Sequence, residues 1–524
     1  MAPALLACGR SLAVAPDFAD AHMNLGIVLC DVGEWSRAVA VLAVAAAQRP
    51  HSTLTLANLG SALFRADRLE EASGVLRRAL ALEPGNVAAL SNLALLEQAE
   101  FAHERAQRRL RRALASRWSI PVHSNLVMQL CYDPATTNDA LFAEASRRWL
   151  SWHVGVYDPA YRGSADHRPL RIGWLSGDLH EHPVARNIVG LLEHRDRARF
   201  QAFVYSTGRR ADAMTRRLRS LADGWRDVAG LDDNDVAKSI HDDRIDILVV
   251  LAGHTGGSRR EIAFARPAAL QVSFHDLTTS GLEQMDAWIT DPILHPPDTM
   301  ERFSERLLRL PCFYLYEPPV DAPPPSSRRG DVPPTFGSFN NTSKLSPALL
   351  RLWARILRAV PDARLLLKYQ GRFADRGLRE KVIRLFAECG VGAERLLFHS
   401  ERSSRGDYLA MLSATDVALD TFPFNGSTTT FETLWMGVPV ITLAGERFAG
   451  RVGASVLSQI GLQDLIADSP DAYVDMAVRL ANNREYRQKL RASLRDRLRA
   501  SPLCQPESHA RDFEAALRGL WRGA

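Results

Sequence analysis

The segment Leu419 to Glu446 is unusually rich in small hydroxylated residues just past an apolar strand, Val417 to Leu419, that runs into Asp420. Phe422-Pro423-Phe424-Asn425-Gly426 forces a loop, because Pro fixes φ and Asn-Gly accepts positive φ. Ser427-Thr428-Thr429-Thr430 follows, and Glu432 stands three residues beyond Thr429. That is capping-box spacing, and it predicts a helix start ahead of the apolar positions Phe431, Leu434, Trp435 and Met436. Gly437 and Pro439 end the helix, and Val438 to Leu443 reads as a second buried strand. A helix that opens with four hydroxyl residues offers backbone N–H groups and a positive dipole end, which is a seat for phosphate. Any α/β domain has capped helices, but here the hydroxyls gather at a strand's carboxyl end, where α/β sheets bind ligands.

Two further loops carry titratable groups past strand ends. His182 lies in Ser176-Gly177-Asp178-Leu179-His180-Glu181-His182-Pro183, after the strand Leu170 to Ser176. A near-neutral imidazole there can accept a hydroxyl proton or orient an acceptor, and His180 and Asp178 compete for the role. Lys344 stands in Asn340-Asn341-Thr342-Ser343-Lys344, past Phe336 to Phe339, and Lys368 ends Leu365-Leu366-Leu367. A lysine is a compact mobile charge suited to a diphosphate. Asp233-Asn234-Asp235 has the form of a D-x-D metal motif, but its place at the opening of the helix Val236 to Ile240 reads as a cap.

The elements that position these groups divide into two kinds. Pro16, Pro50 and Pro84 are 34 residues apart, as are Asn24, Asn58 and Asn92, Leu25, Leu59 and Leu93, and Ala38, Ala72 and Ala106. That period is the tetratricopeptide one, a helical hairpin per repeat stacking into a solenoid with a concave groove. Ser11 to Pro16 reads as the end of an earlier helix, and residues 117–150 as helices of degenerate period. From about His167 strands alternate with helices: Leu170 to Ser176, Ala202 to Tyr205, Ile245 to Leu251 and Leu308 to Leu315, then Ala363 to Lys368, Leu396 to Phe398 and the two strands around the hydroxyl run. Such alternation predicts parallel sheets covered by helices. The Pro-dense stretch 317–335 between the two series reads as a linker. The expected organisation is a repeat domain over 1–150, an α/β half over 151–316, the linker, and a second α/β half over 336–524 whose last helices, from about Glu485, pack back across both.

A net charge of +5 over 524 residues, with Arg scattered along helical faces, does not suggest nucleic-acid binding. No apolar run approaches the ~18 residues of a membrane span. Leu5-Leu6-Ala7-Cys8 has the look of a lipoprotein cleavage site, but no basic region or adequate apolar stretch precedes it. The six cysteines are far apart and read as free thiols of a reducing, cytoplasmic compartment.

The run DTFPFNGSTTTFETLWMGVPVITLAGE resembles the nucleotide-sugar motif of the O-linked N-acetylglucosamine transferase and SPINDLY family, repeat-bearing glycosyltransferases that modify Ser and Thr of proteins. The similarity runs over nearly the whole chain. It implies an α-solenoid followed by a GT-B glycosyltransferase of two Rossmann-like halves. It also implies an inverting transfer of N-acetylglucosamine from UDP-GlcNAc, with no metal and no further cofactor. By the same resemblance His182 is an active-site residue, and Lys344 neutralises the departing diphosphate. Ser427, Thr428 and Thr429 bind that diphosphate, Asn341 lies near the nucleotide, Glu432 reaches the ribose, and the loop of Arg402 and Arg405 meets the base. Asn24, Asn58 and Asn92 would line a groove and hold the backbone of a substrate peptide, although asparagines so placed also bond between helices. Two departures stand out. Ser427 replaces the histidine of the animal enzymes, where SPINDLY proteins, which use GDP-fucose, have Thr. Phe274 to Gly281 replaces a Gly-Tyr-Pro-Gly run. Asp243 matches a family aspartate proposed for proton transfer, or simply ends a helix. The resemblance therefore leaves two alternatives to a UDP-GlcNAc enzyme: a GDP-fucose-dependent one, and a nucleotide-binding scaffold without turnover.

Overall fold

The computed structural model describes residues 10, 13–14, 17–147, 157, 168–325 and 333–523. Helical repeats are followed by two parallel-sheet, Rossmann-like halves. The chain separates into two compact units that interleave along the sequence: 1–133 with 330–408, and 134–329 with 409–524. The expected helix end at Ser11 to Pro16 and the lipoprotein-like Cys8 lie outside the described residues.

Three helical hairpins form the repeats: α1 (Ala19–Asp31) with α2 (Trp35–Gln48), α3 (Thr53–Arg65) with α4 (Leu69–Leu82), and α5 (Val87–Ala99) with α6 (His103–Ser116). The period is visible in how each hairpin closes. A Cβ on Gly26 would lie 2.4 Å from Leu42 Cγ, and one on Gly60 would lie 2.5 Å from Leu76 Cγ. Leu42 and Leu76 are fully buried, so the two helices can approach only because those positions lack a side chain. The turn within each hairpin is left-handed at one equivalent residue, Gly33 (φ 84°), Asp67 (φ 63°) and Phe101 (φ 49°). A seventh helix, α7 (Ile120–Tyr132), continues the stack, and α8 (Asn138–Ala145) opens the second unit.

The first α/β half comprises β1 (Leu170–Ser176), α9 (Pro183–Glu193), β2 (Phe200–Ser206), α10 (Ala213–Leu221), β3 (Gly224–Asp227), α11 (Asp233–Asp242), β4 (Ile247–Leu251), β5 (Leu270–Phe274), β6 (Ala287–Thr290) and β7 (Arg306–Arg309). All neighbours are parallel, in the order β3-β2-β1-β4-β5-β6-β7. The order reverses between β1 and β4, which creates the crevice where such sheets hold ligands. Three of these strands escape the sequence reading. β3 is a short exposed edge, β6 has four residues, and β5 buries Gln271 and Ser273 where a strand pattern expects apolar groups. The strand expected over Leu308 to Leu315 is confined to Arg306–Arg309; beyond it, Phe313 to Tyr316 are buried as an irregular aromatic segment.

In the second half, β8 (Thr335–Ser338), α12 (Pro347–Ala359), β9 (Arg364–Lys368), α13 (Arg376–Glu388) and β10 (Leu396–His399) belong to the first unit, where β8, β9 and β10 are successive parallel neighbours. Helix α14 (Arg405–Ser413) leads into the second unit, with β11 (Val417–Leu419), α15 (Thr428–Trp435), β12 (Val440–Leu443), α16 (Val452–Gln459), β13 (Ile466–Ala467), α17 (Pro470–Asn482), α18 (Arg484–Ala500) and α19 (Pro506–Arg522). Arg495 of α18 donates to Trp435 O at the end of α15 (2.8 Å), and Phe513 of α19 stacks on Trp174 of β1 at 5.5 Å.

The expected capping box at Thr429 and Glu432 does not form. Helix α15 starts at Thr428, its cap residue is Ser427, and no side chain caps it. Nor does the preceding loop use positive φ at Asn425-Gly426; it turns through a cis Phe422–Pro423 bond and a buried carboxylate, Asp420.

The close approach in the second repeat is directly testable. Gly60→Ala forces a methyl group into Leu76 and should cost about 1–3 kcal/mol, as overpacking a well-filled core does. A lowered thermal midpoint of the full chain measures it, and an unchanged midpoint would show that the hairpin can open without penalty.

Candidate active site

At the β1/β4 crevice the sequence folds three loops against one another through glycine. A Cβ on Gly208 would meet Gly177 O at 2.2 Å, and one on Gly177 would meet Gly257 O at 2.9 Å. The loop after β1 is stapled across the crevice, with Thr255 Oγ1, beyond β4, donating to Asp178 Oδ2 at 3.0 Å. Asp178 is 9% exposed, and its Oδ2 lies 3.8 Å from His182 Nδ1. His182 is the N-cap of α9; Pro183 opens the helix, and Val184 N donates to Nδ1 at 3.4 Å. Burial pushes the His182 imidazole below its ordinary pKa of 6.5, Asp178 draws it back up, and His180, Arg186 and Arg210 press it down further. The ring is therefore neutral near pH 7, and in the neutral ring an Nδ1 that accepts from Val184 leaves the proton on Nε2. His180 stacks obliquely on it with ring centres 5.6 Å apart.

In the same unit, the loop before α15 is organised by Asp420. Its Oδ1 accepts from Thr421 N (2.9 Å) and Gly426 N (2.7 Å), and its Oδ2 accepts from Thr442 Oγ1 (2.8 Å). The first internal bond of α15 runs from Phe431 N to Ser427 O at 3.1 Å, so the N–H groups of Thr428, Thr429 and Thr430 lie ahead of the helix's own ladder. Ser427, Thr428 and Thr429 are half-buried. Ser427 shares a hydrogen bond with the Tyr314 hydroxyl, and Tyr316 stacks on Phe431 at 4.9 Å. Sequence reasoning missed both tyrosines, whose only signal is the apolar run after β7. Glu432 is buried and its carboxylate faces Arg186 of α9 at 3.9 Å, so this acid looks towards the histidine's helix.

The other expected donor-binding residues lie in the first unit. Past β8, Asn341 Oδ1 accepts from Ser343 N (3.1 Å), and the resulting single turn Thr342–Lys344 holds Lys344 half-buried. The Lys368 ammonium donates to Gln370 O at 2.8 Å and to Glu401 O, and burial holds its pKa below the ordinary lysine value. Arg402 pairs with Asp67 Oδ2 at 2.7 Å and donates to Arg65 O at 2.8 Å. Arg405 is exposed at the start of α14. Lys368 and Arg402 thus already serve the protein as braces.

The repeat asparagines differ among themselves. Asn24 is exposed, Asn58 is half-buried, and Asn92 donates to Ala57 O of the preceding repeat at 3.1 Å, the inter-helix role. Asp243 ends α11 at its C-terminus, and its carboxylate accepts from Tyr205 (2.7 Å) and Arg226 (2.6 Å). Burial opposes the charge, but those two hydrogen bonds hold the carboxyl below the usual range. In the D-x-D segment Asp233 accepts from Arg259 Nε at 2.7 Å, and the α11 cap is Asp232. Among the described residues no cluster of His, Cys, Asp or Glu has the makings of a metal site, and no helix is long and apolar enough to cross a membrane. Where the Gly-Tyr-Pro-Gly run is replaced, Asp276 is buried against Ser273 and the backbone of His254, and burial pushes its pKa up to about 7.

The chain is similar over nearly its whole length to known proteins. A mutant of the Thermobaculum terrenum O-GlcNAc transferase superposes with a TM-score of 0.89 at 35% identity, covering 96% of this chain and 97% of that one. The probable UDP-N-acetylglucosamine–peptide N-acetylglucosaminyltransferases SPINDLY of Arabidopsis thaliana and of rice are each 38% identical over 412 residues, 76% of this chain and 44% of theirs. The chain therefore spans less than half the length of those curated relatives. Residues 151–317 and 331–513 match the model of glycosyl transferase family 41, and the chain belongs to that family.

Proposed function

We propose that the chain is an inverting protein O-glycosyltransferase that moves N-acetylglucosamine from UDP-GlcNAc to Ser or Thr hydroxyls without a metal. The observation that carries this reading is the near full-length likeness to an O-GlcNAc transferase, repeats included. The acceptor oxygen forms a bond to the anomeric carbon as the bond from that carbon to the diphosphate breaks, and the acceptor's proton passes to solvent or a nearby base. Negative charge builds on the departing diphosphate. Lys344 and the hydroxyl and N–H groups of Ser427, Thr428 and Thr429 offset it, the kind of fixed electrostatic stabilisation that usually dominates such sites. An uncharged helix opening at Ser427 supports this assignment, because no acidic side chain in its first turn opposes an anion. The tautomer set by Val184 favours His182 as a donor that orients substrate rather than as the proton acceptor. Glu432 is assigned to the ribose, Arg405 to the base, and the acceptor peptide to the repeat groove carrying Asn24, Asn58 and Asn92. A cytoplasmic setting fits a protein acceptor of this kind.

Three measurements test the reading. UDP should raise the thermal midpoint of the chain more than GDP does; the reverse order would make it a GDP-sugar enzyme. Lys344→Ala should lower kcat by about 10²–10³ while leaving the fold intact, as loss of one charge-stabilising group does. A drop under threefold removes Lys344 from the chemistry. If the neutral His182 ring is the working form, the acid limb of kcat/KM falls below pH 6.5. Asp178→Asn should move that limb lower still, because the Asp178 charge favours the imidazolium. A limb that moves upward assigns the titration to another group.

A further inference from the structure

We propose that the repeat solenoid is part of the donor site's framework: Asp67 and His103 are positioning residues for the loops that carry Arg402, Lys368 and Lys344. The inference rests on the assignment of those loops to the nucleotide.

Asp67 occupies the left-handed turn of the second repeat, where the first repeat has Gly33 and the third has Phe101. The turn therefore does not need a carboxylate; a glycine serves it. Asp67 is nonetheless 6% exposed, and its partners lie in the catalytic part of the same unit. Its Oδ2 takes Arg402 Nη2 at 2.7 Å and Gly371 N at 3.2 Å, and its Oδ1 lies 3.3 Å from Arg372 Nε. Arg372 in turn donates to Phe64 O at 2.7 Å and lies over the Phe64 ring at 4.0 Å. The Lys368 ammonium joins the two loops so held, through Gln370 O on one side and Glu401 O on the other. Asp67 is buried beside the buried Arg372 and the exposed Arg402, and removing it leaves the buried Arg372 charge uncompensated and Arg402 without its anchor.

His103 repeats the pattern at a second point. It opens α6 where the earlier repeats open the equivalent helix with Trp35 and Leu69, yet it is buried. Its Nδ1 faces Gln129 Nε2 at 2.8 Å, a donor, so the ring proton sits on Nε2 and is donated to Leu345 O at 2.8 Å. Leu345 is the residue after Lys344. Asp67 and His103 thus each touch a loop assigned to the donor.

The full-length chain carrying Asp67→Asn, which keeps shape and tolerates the left-handed turn, is compared with His103→Leu, which restores the residue of the second repeat. UDP affinity by calorimetry, donor KM, acceptor KM and kcat are read beside the thermal midpoint. Each variant is expected to weaken UDP binding and raise donor KM by about 3- to 30-fold, the range that mutations in a coupled network produce, with acceptor KM little changed. In an Arg402→Gln background, Asp67→Asn should add less than about twofold, because the two act through one pair. A lowered midpoint with unchanged UDP affinity in both variants, or a full additive loss in the double variant, overturns the inference and reduces the contacts to stability alone. Failure of the assignment beneath it would look different: the unaltered chain would bind neither UDP nor GDP. Should Asp67→Asn not fold, His103→Leu and Arg402→Gln decide the question.

Discussion

The path of the chain from β11 to α15 depends on a carboxylate that should not be comfortable where it is. Asp420 is 2% exposed at the end of a buried strand, and burying an anion without partners costs several kcal/mol. The chain meets that cost by turning back on itself, so that Thr421 N, Gly426 N and Thr442 Oγ1 all point at it. Asn425 completes the arrangement, donating to Thr421 O at 2.7 Å and accepting from Gly453 N at 3.2 Å. Once those bonds are made, the path from β11 to α15 has little freedom left, and Ser427 to Thr429 emerge at the helix opening with their hydroxyls half-exposed. The first half uses the same device. Asp178, held by Thr255 and by its own N–H to Ser176 Oγ (3.0 Å), shapes the loop that presents His182. In both halves an acid near a strand's end folds the loop, and neutral groups are what the loop displays.

The repeats show how a periodic framework acquires an address. Positions that hold the hairpins together recur without change in kind: Leu42, Leu76 and Leu110 are buried, as are Ala38, Ala72 and Ala106. The within-hairpin turn varies freely because a left-handed residue is all it demands. Glycine, aspartate and phenylalanine each satisfy it while presenting different chemistry outward. Phe101 offers a ring to the Lys381 ammonium 4.3 Å away, where Asp67 offers a charge.

Much of this was legible beforehand, and the reasons are physical. A 34-residue period survives in sequence because each repeat must bury the same face, and the strand-helix alternation survives because parallel strands are apolar throughout. His182, Lys344 and Ser427 to Thr429 were singled out because α/β folds bind ligands in the loops past strand ends, and the structure has each of them past such an end. What could not be read is whatever depends on which surface meets which. Asp67 looks like an ordinary turn residue and His103 like a solvated helix start until their partners more than two hundred residues away are known, and Lys368 looks like a free cation until Gln370 O and Glu401 O are seen to hold it. The capping box failed for a related reason: the rigid approach from Asp420 starts the helix two residues earlier than the Thr429–Glu432 spacing suggests, and the Glu432 carboxylate faces Arg186 instead.

The interleaving of the two units has a consequence for biosynthesis. The first unit is begun by residues 1–133 and finished only by 330–408. At ~5–20 residues per second a nascent chain waits roughly ten to forty seconds between the two. Throughout that interval the Asp67 carboxylate, the Phe101 ring and His103 have no segment to close over them. A half-made solenoid displaying an acid, an aromatic and an imidazole is the form of this protein that a ribosome-associated chaperone would meet.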